Sequence, residues 1–176
     1  MNKQIIKSIL TNARLRLVAA TCLILAGLAL PTAELARASE GRGGPPQPID
    51  VTVFIPASVC GFPVQATATG RLGVISLPGG GFLVTYPATT AVFTNLSDPT
   101  KSVTINGFTG PGIITTDQNG NTIARGLGRG AIWDPATPGF GIRFQAGDFT
   151  LVFDPNGNLL SDTGNGLVTN VCELIN

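Results

Sequence analysis

The chain predicts an all-β domain: an antiparallel meander forming a small closed or nearly closed β-barrel, with a β-sandwich as the alternative. Three observations predict it. Apolar residues alternate with polar ones at period two, turn signals separate the alternating runs, and two cysteines stand near the two ends of the domain.

The first 38 residues read as a leader rather than as domain. Lys3, Lys7, Arg14 and Arg16 precede an apolar run from Leu17 to Leu30, followed by Pro31 and the small-residue pattern Ala36-Arg37-Ala38. Basic, then apolar, then A-x-A is the order of a secretory signal peptide, with cleavage expected after Ala38. The run is short of the roughly 20 apolar residues that span a bilayer. Cys22 lies inside the run rather than after it, which argues against a lipoprotein. The expectation is therefore a secreted protein, extracellular or cell-wall associated, with no stable membrane anchor after cleavage.

Residues 39–49 are rich in Gly and Pro and read as a flexible linker, which places a single β domain at 50–176. From residue 39 onward there are six basic and nine acidic side chains, a net charge of −3. With no basic cluster to neutralise phosphates, nucleic acid is not an expected partner.

Within the domain Val64, Ala66 and Ala68 alternate with polar neighbours, as do Phe140, Ile142 and Phe144, and Phe149, Leu151 and Phe153. Val51/Val53/Ile55, Phe82/Val84/Tyr86 and Val103/Ile105 repeat the pattern more weakly. Alternation puts one set on a core face and the other outside. Between the runs stand Pro78-Gly79-Gly80, Asp98-Pro99, Asn119-Gly120, Asp134-Pro135 and Asn156-Gly157. Asn-Gly suits hairpin turns because both residues tolerate positive φ. Connections this short make successive strands antiparallel neighbours.

Cys60 and Cys172 are the two cysteines left after the leader is removed, and an oxidising compartment favours a disulfide between them. The cross-link would tether the first strand to the last, as barrel closure requires.

The chemistry the sequence lacks is as informative. There is no His, so Ser-His-Asp and Cys-His systems and His-based metal sites are absent. Lys101, the one lysine after the leader, sits beside a turn and reads as solvated. Asp148 and Asp154 could form a hydrolytic carboxylate pair, but residues of this kind flanking a strand usually mark its ends. Asp117-Gln118-Asn119-Gly120-Asn121 and Asp154-Pro155-Asn156-Gly157-Asn158 share the 1-3-5 oxygen spacing of calcium loops. Their Gly falls at position 4 and no Glu stands at position 12, so they read as two similar turns. Gly126-Leu127-Gly128-Arg129-Gly130 lacks the spacing of a phosphate loop and reads as a bulge or barrel corner. Phe82, Tyr86, Phe140, Phe144, Phe149 and Phe153 read as core before they read as a ligand cavity. No catalytic residue, metal or cofactor is expected, and the protein is not read as an enzyme.

The segments Cys60-Gly61-Phe62-Pro63-Val64, Leu77-Pro78-Gly79-Gly80, Thr94-Asn95-Leu96, Lys101-Ser102-Val103-Thr104 and Val171-Cys172-Glu173-Leu174 occur in a fixed order. In this the chain resembles a group of small secreted actinobacterial proteins with a cysteine near each end of the domain. The resemblance implies export, a β domain and the disulfide, and transfers no catalytic residue.

Two function classes follow. The first is a non-catalytic extracellular binding protein holding a small apolar ligand. The second is a structural or surface-interaction protein whose interior is filled by its own side chains. Cavity volume discriminates between them.

Overall fold

The computed structural model describes residues 44–108 and 110–176. The signal peptide expected over 1–38 lies outside the described residues. The strands are β1 (Gln47–Ile55), β2 (Val64–Ser76), β3 (Phe82–Thr85), β4 (Thr89–Asn95), β5 (Ser102–Phe108), β6 (Gly112–Thr116), β7 (Thr122–Trp133), β8 (Ile142–Phe153) and β9 (Leu159–Asn170). Two short helical turns, α1 (Ala57–Cys60) and α2 (Val171–Leu174), follow β1 and β9. β1 begins inside the segment read as linker, because an edge strand accommodates Pro48 without losing a needed hydrogen bond.

The strands form one antiparallel meander. β2 pairs with β1 on one side and, on the other, with β4 along Val64–Thr69 and β3 along Gly73–Ser76. The two registers differ by one residue, so β3 and β4 are successive pieces of a single arm, interrupted at Tyr86–Ala88. β5 pairs with β4 and β6 with β3, giving a second broken arm, and β7, β8 and β9 follow in order.

The expected all-β antiparallel meander is therefore present, and the expected closure of the sheet is not. The hydrogen-bonded ladder runs β5-β4-β2-β3-β6-β7-β8-β9 with β1 against β2, and among the described residues no ladder joins β9 to β1 or β5. The Cys60–Cys172 disulfide does form, with Cα atoms 5.3 Å apart. It links α1 to α2, the turns that follow β1 and β9, and these two strands share no ladder.

Alternation decides which side chains are buried. Val64, Ala66 and Ala68 of β2 join Ile55, Ala91, Phe93, Ala131, Ile142, Val171 and Ile175 in the largest apolar cluster. Leu72, Val74, Val84 and Ile114 form a second, and Ala124, Ile132, Leu151 and Phe153 a third.

β8 changes the face it buries. Its even-numbered Ile142 belongs to the first cluster and its odd-numbered Leu151 and Phe153 to the third. Between them Gly147 faces Gly128 of β7 on one side and Gly166 of β9 on the other. All three have positive φ, at 144°, 153° and 153° for residues 128, 147 and 166. A Cβ at Gly147 would overlap the Asn165 carbonyl oxygen and lie 2.8 Å from the Gly166 Cα. Glycine alone permits that approach. The row is a crease across three strands, and along it the sheet folds back on itself.

Candidate functional site

The crease brings together a polar group that strand order keeps apart. Asp162 of β9 pairs in register with Leu151 of β8. Gln145 lies six residues earlier on β8, about 20 Å along a straight strand. The Gln145 Nε2 nevertheless donates to both Asp162 carboxylate oxygens at 2.9 Å, and Arg143 donates to Asp162 Oδ2 at 3.2 Å. Gln145 is 6% exposed and the Asp162 side chain 10%. The Arg143 guanidinium also lies 4.0 Å from the centre of the Phe140 ring. The carboxylate is thus matched by a cation and an amide, and it fixes the folded-over geometry.

Beside this group, a partly open space is bordered by Tyr86, Gly110, Gly126, Gly128, Gly130, Gln145 and Phe149, with a volume of about 50 Å³. Residues 126–130 are strand lining this space, and their ladder with β8 runs without a register shift, so the expected bulge is not present there. The aromatic residues read as core are divided among clusters. Phe144 packs in the first, Phe82 in the second, and Phe140 and Phe153 in the third, while Tyr86 touches the first two. Phe108 meets Phe144 edge to face at 5.9 Å.

A wider, open depression of about 460 Å³ lies around the disulfide. It is lined by α1 residues, Phe62, Gly139, Gly141, Asn170, Cys172 and Glu173. The Asn170 side chain caps α2, accepting from the Cys172 N–H at 3.1 Å and donating to Glu173 at 2.9 Å.

The two similar loops are turns of the same design. Asp117 Oδ1 accepts from the N–H groups of Asn119 and Asn121 at 2.8 and 2.9 Å. Asp154 Oδ1 accepts from those of Asn156 and Asn158 at the same distances. Their second oxygens accept from the Asn121 and Asn158 side chains. The loops lie side by side, since a Cβ at Gly120 would be 3.6 Å from Pro155.

The turn type differs from the sequence expectation. Only the Gly of each Asn-Gly pair has positive φ, at 81° for Gly120 and 89° for Gly157. Each is a three-residue loop in which Gly takes the left-handed position before the strand resumes.

These contacts hold the carboxylates in their charged form. The Asn158 side chain, then backbone donors, lower the Asp154 carboxyl below its ordinary value. In Asp117 loss of hydration pushes upward, and the donors of Asn121, Asn119 and Gly120 outweigh it. Asp98 is lowered by the Thr100 hydroxyl, which donates at 2.6 Å.

Asp148 and Asp154 are not brought together as a catalytic pair. Asp148 is engaged by Arg125 through contacts of 3.0 and 2.6 Å, which lower its carboxyl and raise the guanidinium. Lys101 is exposed at the β4–β5 turn, its backbone closing that turn with Asp98 and Asn95. Buried Asn95, which alternation does not flag, donates to the Ile175 carbonyl at 3.0 Å and accepts from the N–H of Ser97 at 2.8 Å. It fastens the C-terminal end to the turn.

Together the fold and these sites define a disulfide-closed antiparallel β-meander in which Asp98, Asp117, Asp134 and Asp154 are held in turns and Asp148 and Asp162 in ion pairs. No protein-family model, no curated protein and no solved structure matches this chain.

Proposed function

We propose that the protein is an exported, non-catalytic interaction domain that acts through its surface, a rolled, barrel-like sheet around a solid interior. The observation that carries this reading is the space beside the crease. At about 50 Å³ it suits a few waters, whereas small-molecule pockets take roughly 300 Å³ or more. The absence of His from the sequence and the closure of Cys60 and Cys172 as a disulfide support the non-catalytic part.

The depression around the disulfide favours a second reading, a binding protein for a small apolar ligand. Its volume lies in the range of ligand sites, and Val59 and Phe62 give it apolar lining. Titration with an apolar fluorescent probe separates the two. The surface reading predicts no saturable one-to-one complex. A tight complex weakened by Phe62→Ala would replace it with the second reading.

A further inference from the structure

We propose that Asn119 is a site of spontaneous covalent modification, losing its side-chain amide to become aspartate or isoaspartate while the domain stays folded. This goes beyond the surface reading and does not depend on it.

The reaction needs only water. The Gly120 backbone nitrogen attacks Asn119 Cγ, its proton passes to the departing nitrogen, and the Cγ–Nδ2 bond breaks to release ammonia. The imide ring so formed joins Cγ and the Asn119 main-chain carbonyl carbon through the Gly120 nitrogen. Water opens the ring at Cγ to give aspartate, or at the main-chain carbon to give isoaspartate, in which the chain runs through the side chain. Glycine after asparagine favours the attack, because no Cβ crowds the nitrogen.

Four asparagines precede glycine: Asn106, Asn119, Asn156 and Asn165. The fold treats them differently. Asn106 pairs with Thr90 in the β4–β5 ladder, and its Oδ1 accepts from the Thr90 hydroxyl at 3.1 Å. Gly107 is held between that pair and buried Phe108. Asn165 and Gly166 both sit in the β8–β9 ladder, where even a Cβ on Gly166 would overlap the Ala146 carbonyl oxygen. Ring closure at either site requires strand to leave its ladder.

Asn119 and Asn156 stand instead at the same position of two turns of one design, and both are exposed. The N–H of the glycine that follows donates to the carbonyl of the turn's aspartate, at 3.1 Å for Gly120 and 3.0 Å for Gly157. Two differences separate the turns. Asn156 Nδ2 donates to Asp154 Oδ2 at 3.5 Å, whereas among the described residues the Asn119 side chain has no hydrogen-bond partner. Pro155 precedes Asn156 and stiffens its turn by fixing φ, where the first turn has Gln118. Room for the ring is present at Gly120, since a Cβ built there would come only within 3.6 Å of Pro155, an ordinary contact. The amide that is free to rotate, in the turn without proline, is therefore the one that reacts. Its product adds a negative charge beside Asp117, whose Oδ1 accepts from the Asn119 N–H at 2.8 Å.

Incubation of the processed, disulfide-bonded protein in mildly alkaline buffer, followed by peptide mapping with mass spectrometry, tests this. Asn119 is expected to convert several-fold faster than Asn156, with Asn106 and Asn165 still amides over the same interval. In the reduced chain held unfolded by denaturant, the four sites are expected to react at comparable rates, since each is asparagine before glycine. Folded protein that keeps the Asn119 amide, or that loses another of the four as fast, would overturn the proposal. Asp154→Asn removes the acceptor for Asn156 Nδ2, and Pro155→Gln gives the second turn the residue of the first. Each is expected to raise the Asn156 rate toward that of Asn119, and an unchanged rate in both would overturn the account. Should one variant fail to fold by circular dichroism, the other decides.

Discussion

Gln145 and Asp162 meet at 2.9 Å although the β8–β9 ladder sets Asp162 opposite Leu151, six residues further along β8. A straight two-stranded ribbon cannot make that contact. The contact exists because Gly147 and Gly166 face each other between the two sites and let the backbone fold over.

Gly147→Ala should therefore be among the most damaging single changes in the domain. Its Cβ would meet the Asn165 carbonyl at a backbone angle that L-residues avoid. A cost of about 3 kcal/mol or more is expected from strain and overlap together. Gly79→Ala is the control: its φ is 88° but nothing lies within 4 Å, so about 1 kcal/mol is expected. Denaturant unfolding of the two variants checks the contrast, which vanishes if the crease is not a tight contact.

Acid should weaken the fold in a defined window. Asp98, Asp117, Asp148 and Asp154 all have carboxyls lowered by hydrogen bonds or by Arg125. The unfolded chain then takes up protons before the folded one. Their contribution is complete above the ordinary carboxylate value of about 4 and is lost as pH falls through the lower folded values. With no His in the sequence, the melting temperature should stay nearly flat from about pH 5 to 8. Asp154→Ala should lower stability at neutral pH and flatten part of the acid slope. Melting curves across pH test both.

The disulfide should be a major term in stability. Cys60 and Cys172 are 112 residues apart in sequence, and closing a loop of that length contributes about 4–5 kcal/mol on the chain-entropy model. Cys172→Ala should lower the unfolding free energy by several kcal/mol, and thiol titration of the denatured, unreduced protein should find no free sulfhydryl. One or two reactive thiols per chain would contradict the bridge.

The export reading predicts a processed N-terminus. Sequencing of the released protein should begin at Ser39, after Ala36-Arg37-Ala38. An intact Met1 on membrane-bound material would contradict it.

The sequence makes the strands legible where one face is buried and the other is polar. Val64, Ala66 and Ala68 alternate and are all buried, as are Phe149, Leu151 and Phe153. The turns at Asn119-Gly120 and Asn156-Gly157 are legible because Asp, Asn and Gly each have a local reason to be there. β9 is not legible in the same way. Ser161-Asp162-Thr163-Gly164-Asn165-Gly166 has the composition of a loop and becomes strand only because β8 supplies its hydrogen-bond partners. The crease is hidden for a related reason. Gly128, Gly147 and Gly166 look like scattered glycines until the register aligns them. The Gln145–Asp162 contact follows from that alignment, so local patterning holds no sign of it. The open sheet is not legible because the cysteine pair reads as joining neighbouring strands, whereas the disulfide joins helical turns beyond their ends.

The central claim, a domain that works by its surface around a filled interior, is tested most directly by native mass spectrometry of the protein purified from its source. The account predicts the mass of the processed polypeptide with one disulfide, as one copy or as two, and no added small molecule. A stoichiometric bound ligand that survives desalting and is released on unfolding would contradict it.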